Sequence, residues 1–165
     1  MGVFTRKVVK SMMIRSEQEA MYLACEMETT AVQLYTRALQ LMEQLGRESE
    51  PLYAELKQML KDEQAHLSRF RSLYKGLDAS EEQQLSLAAV ADGILFDGGL
   101  MGAARKGLLS DVEGMLRFAA DSERASARKY RDFAAAAVTE EAKQALLKIA
   151  QEEDGHLREL ENATH

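Results

Sequence analysis

Four long stretches of the chain carry apolar side chains at helical intervals with polar ones between, and recognisable punctuation closes each. The first starts after Ser16, where Glu19 completes a Ser-x-x-Glu capping box, and stops at Gly46. The second starts near Glu50 and Pro51, since proline is tolerated in a first turn, and stops at Gly76. Ser110 with Glu113 opens the third, which runs to about Ala137, and Thr139 caps the fourth, which continues nearly to the C-terminus.

Residues 77–109, between the second and third stretches, have a different character. Ser80 with Gln83 begins a short helix ending near Ala91, and a glycine-rich, partly apolar passage follows from Asp92 to Gly99. Gly93, Gly98, Gly99 and Gly102 lack a phosphate-loop pattern and read as places where the backbone turns tightly. A connection of this length in a compact domain usually has a task, and here it can carry the chain from one end of a bundle to the other. A helix of about 26 residues spans roughly 39 Å, a distance such a crossover covers. The loops at 46–49 and 138–139 are short and make antiparallel hairpins instead. The expected fold is therefore all-α: a four-helix bundle over residues 16–165, up-down-down-up, two hairpins joined by the crossover 77–109. Residues 1–15, with Arg6, Lys7, Lys10 and Arg15, form a basic arm ahead of it.

Composition supports helix throughout. There is one proline and no tryptophan, and 46% of the 165 residues are hydrophobic, enough to bury a core. A net charge of −6 argues against nucleic-acid binding, which needs a basic face. No run approaches the roughly 18 apolar residues of a membrane span, and the N-terminus lacks the apolar run of a signal peptide. The lone cysteine, Cys25, excludes an intrachain disulfide and a Cys-x-x-Cys metal knuckle, and fits a reducing cytoplasm. It reads as a packing residue, as do the nine scattered methionines. His165 is terminal and is expected to be disordered.

Chemistry enters with a duplication. Sliding the chain by 95 residues aligns Ala24, Glu28 and Tyr35 with Ala119, Glu123 and Tyr130. Sliding it by 90 aligns Asp62, Glu63, His66 and Leu67 with Glu152, Glu153, His156 and Leu157. The five-residue difference falls in the hairpin loops, where insertions belong. Counting turns from the helix ends brings Glu28, Glu63, Glu123 and Glu153 to one layer, one glutamate from each long helix. Glu63 and His66 are three apart, as are Glu153 and His156, so each pair shares a helix face and can address one ion. Four carboxylates in a bundle core without cations would cost several kcal/mol each, or force protonation. Two divalent metals offset them. Glutamate bridges with a terminal glutamate and a histidine per ion suit iron or manganese better than zinc. Tyr35 and Tyr130 lie two turns from Glu28 and Glu123 and can hydrogen-bond ligating carboxylates; Asp62 and Glu152 can orient a histidine on another helix.

The passages ACEMETTAVQLY, KDEQAHL, AADSERASARKY and QEEDGHL resemble the rubrerythrin branch of the ferritin-like superfamily, over about residues 16–162. The resemblance implies a di-iron carboxylate bundle with Glu28, Glu63, His66, Glu123, Glu153 and His156 as iron ligands. In that likeness Glu63 and Glu153 bridge, and Glu28 and Glu123 are more terminal. Two departures stand out. Rubrerythrins typically add a glutamate three residues after the third-helix ligand, where this chain has Ser126. They also append a rubredoxin-like iron domain with paired Cys-x-x-Cys motifs, which this sequence does not contain. The first makes the site more symmetric and the second removes a built-in electron donor.

The expectation is a cytoplasmic oxidoreductase holding two iron ions, with manganese the other candidate. It would react with hydrogen peroxide or oxygen, draw on an external rubredoxin-like donor, and form a homodimer. Iron storage with ferroxidase activity, which needs a many-subunit shell, is the alternative. A scaffold or sensor whose metal only stabilises the fold is the other.

Overall fold

The computed structural model describes residues 14–95 and 99–164, and side chains outside the 99–101 stretch. Most of the basic arm at 1–15 lies outside the described residues, as do Phe96, Asp97, Gly98 and His165. Six helices follow one another: α1 (Glu17–Gln44), α2 (Pro51–Leu73), α3 (Ala79–Ala91), α4 (Gly99–Arg105), α5 (Val112–Ala136) and α6 (Glu140–Ala163). The four long ones, α1, α2, α5 and α6, make a ferritin-like bundle.

Local chemistry sets the boundaries. The Ser16 hydroxyl accepts the Glu19 amide at 3.1 Å, as a capping residue should. Glu19 reaches back one residue further than a capping box requires, and accepts from the Arg15 amide at 3.1 Å. At the other end of α1, Gly46 sits at φ +66°, and the Arg47 and Gly46 amides donate to Met42 and Glu43 carbonyls, a Schellman closure. Pro51 opens α2, and Thr139 caps α6 by accepting the Ala142 amide. Three expected boundaries move. Asp78, not Ser80, caps α3, and Asp111, not Ser110, caps α5, each through its carboxylate on an amide three residues on. In both places an aspartate close by competes with the serine, and as a charged acceptor it makes the stronger bond. α2 ends at Leu73 rather than at Gly76, because Tyr74 already leaves the helical region at ψ 118°. The crossover, expected to hold one short helix, holds two, α3 and α4.

The hairpins α1/α2 and α5/α6 pack on each other, α1 beside α5 and α2 beside α6. Tyr35 of α1 meets Glu123 of α5 while Tyr130 of α5 meets Glu28 of α1, so those two helices run antiparallel. His66 meets Glu152 and His156 meets Asp62, which makes α2 and α6 antiparallel as well. The order is therefore up-down-down-up, with α2 and α5 parallel across the diagonal. Among the described residues no helix is long and apolar enough to cross a membrane.

The core comes in two parts. One apolar cluster gathers Leu34, Met42, Leu56, Met59, Met115 and Leu160 at one end of the bundle. The other gathers Met21, Phe70, Tyr130, Phe133, Leu146 and Ile149 at the opposite end. A polar layer separates them.

Candidate metal centre

That layer consists of Glu28, Glu63, His66, Glu123, Glu153 and His156, all at most 5% exposed. They are the buried polar and charged residues of the described chain. The apolar clusters above and below seal the layer from water at both ends.

Their donor atoms fall into two groups. Glu28, Glu63, His66 and Glu153 each bring one ligand atom within 4.8 Å of the others; so do Glu63, Glu123, Glu153 and His156. Glu63 and Glu153 belong to both. His66 Nδ1 is 2.9 Å from Glu153 Oε1 and 3.6 Å from Glu28 Oε1. His156 Nδ1 is 2.8 Å from Glu63 Oε1 and 3.4 Å from Glu123 Oε1. The rings lie 6.0 Å apart, one over each group.

Hydrogen bonding tests whether these residues fit cations. Glu28 Oε2, both Glu63 oxygens, Glu123 Oε2, Glu153 Oε1 and both Nδ1 atoms are buried without an aligned hydrogen-bond partner. No other described residue has a buried side-chain polar atom in that condition. Buried polar groups are ordinarily paired, and leaving one unpaired costs about 1–3 kcal/mol, more when charged. Unpaired lone pairs concentrated on one layer, and nowhere else, are what a pair of cations would satisfy.

The outer atoms of the same residues are held. The Tyr35 hydroxyl donates to Glu123 Oε1 at 2.6 Å, and the Tyr130 hydroxyl to Glu28 Oε1 at 2.8 Å. His66 Nε2 lies 2.7 Å from Glu152 Oε2, and His156 Nε2 lies 2.9 Å from Asp62 Oδ2. Carboxylates accept, so each Nε2 carries a proton and each Nδ1 turns inward. Every one of these four bonds runs from one hairpin to the other. Tyr35, Tyr130, Asp62 and Glu152 thus each touch the outer atom of one residue of the layer.

Electrostatics follow from crowding. Burial, and then the nearby charge of Glu63, raise Glu28 well above the usual carboxylate range; burial, then Glu123 and Glu63, do the same to Glu153. Burial pushes Glu63 up too, but the nearby Glu28 carboxyl and the two histidines, His156 Nδ1 at 2.8 Å and His66 Nδ1 at 3.8 Å, outweigh it and hold Glu63 below the usual range. Burial alone would lower His66 and His156, but the surrounding glutamates prevail and lift them to about 10 and about 11. Without a cation the layer therefore keeps protons to limit its own charge. Burial raises both tyrosines well above 10, so they stay donors.

Cys25 is half-buried at the edge of the second apolar cluster, and burial lifts its thiol to about 11. It sits there as a neutral thiol.

A cavity of about 900 Å³ opens between α1, the crossover and α5, and reaches Tyr35, Glu123 and Glu153. Sequence reasoning missed it. The only signal was the small residues Ala119, Ser122, Ala125 and Ser126 along α5.

Fold and site together define a class: a ferritin-like four-helix bundle with two adjoining groups of buried Glu and His that could each hold a metal ion. The rubrerythrin family profile matches residues 19–164, and the chain belongs to that family, whose members bind a pair of irons. No curated protein and no solved structure gives a match.

Proposed function

We propose that the protein is a non-haem di-iron oxidoreductase that reduces hydrogen peroxide or oxygen with electrons from a separate donor protein. The observation that carries this reading is the confinement of unpartnered buried polar atoms to two donor groups sharing Glu63 and Glu153. Four carboxylates with two imidazoles and no thiolate form a hard, oxygen-rich set, which suits iron or manganese over zinc. Two bound ferrous ions supply two electrons together, which avoids releasing one-electron radicals.

The chain's own residues do the rest. Glu63 and Glu153 serve both positions; Glu28 with His66 completes one, and Glu123 with His156 the other. Tyr35 and Tyr130 fix Glu123 and Glu28, while Asp62 and Glu152 fix the imidazole rings. Tyr35 also faces the cavity, where its hydroxyl keeps a proton next to Glu123.

Anaerobic reconstitution with Fe(II), metal counting, and an absorption spectrum after adding peroxide test the proposal. About two irons per chain and a near-ultraviolet diferric band are expected. Failure to retain a pair of irons would overturn it. Metal retained without reaction would favour a purely structural role. A mass measurement separates the expected homodimer from a storage shell of many subunits.

A further inference from the structure

The cavity is far larger than the oxidants named so far require. Hydrogen peroxide needs roughly 60 Å³, about two water volumes, against about 900 Å³ available. The size falls instead in the range of roughly 300–1,000 Å³ typical of pockets for organic ligands. It also breaks the symmetry of the duplication: of the six layer residues Glu123 and Glu153 line it, and their counterparts Glu28 and Glu63 do not.

Its walls define the ligand. Met27, Ala31, Leu34, Ile94, Leu95 and Phe118 give an apolar body. At the end that reaches the layer, Glu123 Oε2 and Glu153 Oε1 are buried without an aligned hydrogen-bond partner. Elsewhere in the lining Arg117, Arg128 and Lys129 stand with Asp92, Asp111 and Asp121, three of each sign, so that part of the wall favours neither an anion nor a cation.

We propose that this cavity binds a neutral alkyl or aryl hydroperoxide, its hydrocarbon along the apolar wall and its O–O group at the Glu123–Glu153 end. The inference rests on the proposed function for its chemistry, though not for binding. The net reaction is ROOH + 2 e⁻ + 2 H⁺ → ROH + H₂O. The O–O bond breaks, one oxygen stays on carbon as the alcohol, and the other leaves as water. The electrons are those of the ferrous pair.

Binding is tested on the metal-free protein with 2-phenyl-2-propanol, the unreactive product of cumene hydroperoxide, by calorimetry. Saturable one-to-one binding is expected, weakened at least tenfold in Ala31→Phe and in Ser126→Leu, which fill space from α1 and from α5. Circular dichroism confirms that each variant keeps its helix content. No saturable binding, binding unchanged in both variants, or tighter binding of decanoate than of the alcohol would overturn the proposal. With the iron-loaded protein, the ratio of reoxidation rates by cumene hydroperoxide and by hydrogen peroxide should fall at least tenfold in the variants. Reoxidation of the wild type by hydrogen peroxide alone would sink this inference and leave the proposed function standing; failure to load iron would do the reverse, provided the alcohol still binds.

Discussion

The Tyr35 hydroxyl on α1 donates a 2.6 Å hydrogen bond to Glu123 Oε1 on α5, and so ties the two hairpins together through a residue of the candidate metal centre. Tyr130 and Glu28 repeat the relationship in reverse at 2.8 Å. Each tyrosine therefore orients a carboxylate contributed by the other half of the duplication. Removing the hydroxyl in Tyr35→Phe leaves a buried oxygen without its donor. Such a loss costs about 1.5–3 kcal/mol when the partner is charged. Metal affinity should fall roughly 10- to 100-fold, the usual consequence of losing an outer partner of a ligand. Competitive metal titration of Tyr35→Phe and Tyr130→Phe measures this; wild-type affinity in both would show that the tyrosines only pack.

Asp62 and Glu152 act on histidines rather than carboxylates, and on different ones. Asp62 holds His156 and Glu152 holds His66. Asp62→Ala should weaken the ion held by Glu123 and His156, and Glu152→Ala the ion held by Glu28 and His66, each roughly 10-fold or more. Stepwise calorimetric titration should show one weakened and one near-normal binding event in each single variant. Equal weakening of both events by either change would mean that the groups do not act independently. Because both carboxylates are partly exposed, the variants should lose little stability without metal.

Protons and cations compete for the layer, and the sign of the effect is fixed. Glu28 and Glu153 are raised in the folded state above an ordinary value of 4.5, so their contribution favours folding at low pH and is lost as they ionise. His66 and His156 are raised as well, from 6.5 to about 10 and about 11. Their contribution is complete below pH 6.5 and is gone once pH passes 10 to 11. All four effects run the same way, so the metal-free protein should lose stability as pH rises from 6 to 10. Bound cations replace the protons, so metal affinity should climb with pH and binding should release protons. Melting curves with and without chelator across this range, and calorimetry in buffers of different ionisation heat, measure both. A metal-free protein equally stable at pH 6 and pH 10 would contradict the assignment.

The duplicated spacing made the layer legible. Glu28, Glu63, His66, Glu123, Glu153 and His156 could be brought level by counting turns from helix ends, because helix rise is nearly constant. The Asp62 and Glu152 partnerships were legible only as possibilities, since periodicity places a residue on a face without saying which neighbour it meets. Boundaries failed where two capping residues competed, as at Asp78 against Ser80 and Asp111 against Ser110. Long-range clamps left no local trace. Glu17 Oε1 accepts from the Val138 and Thr139 amides and the Thr139 hydroxyl, fastening the α5–α6 loop to the start of α1. Nothing near Glu17 in sequence announces partners more than a hundred residues away. The cavity was equally hidden, because a void depends on how the crossover lies over α1 and α5.

Glu153 offers the sharpest separation of stability from function. It belongs to both donor groups, is 1% exposed, and sits within reach of three other carboxylates whose charge it opposes. Replacing it by glutamine keeps its size and removes the charge it takes on as it ionises. The amide can donate toward neighbouring carboxylates as the protonated carboxyl does, so the metal-free variant should match the wild type near pH 6 and exceed it by about 1–3 kcal/mol at pH 10, where the wild type must hold the buried charge. The same change removes an anionic oxygen from both metal positions, so pairwise iron loading should be lost. Thermal unfolding of metal-free Glu153→Gln beside its metal count reads the two effects on one sample. A destabilised metal-free variant would mean that Glu153 is held by partners other than cations, and a variant that still loads two irons would remove it from the shared position. Opposite signs in the two measurements are what a residue placed for a metal, at the expense of the empty fold, must give.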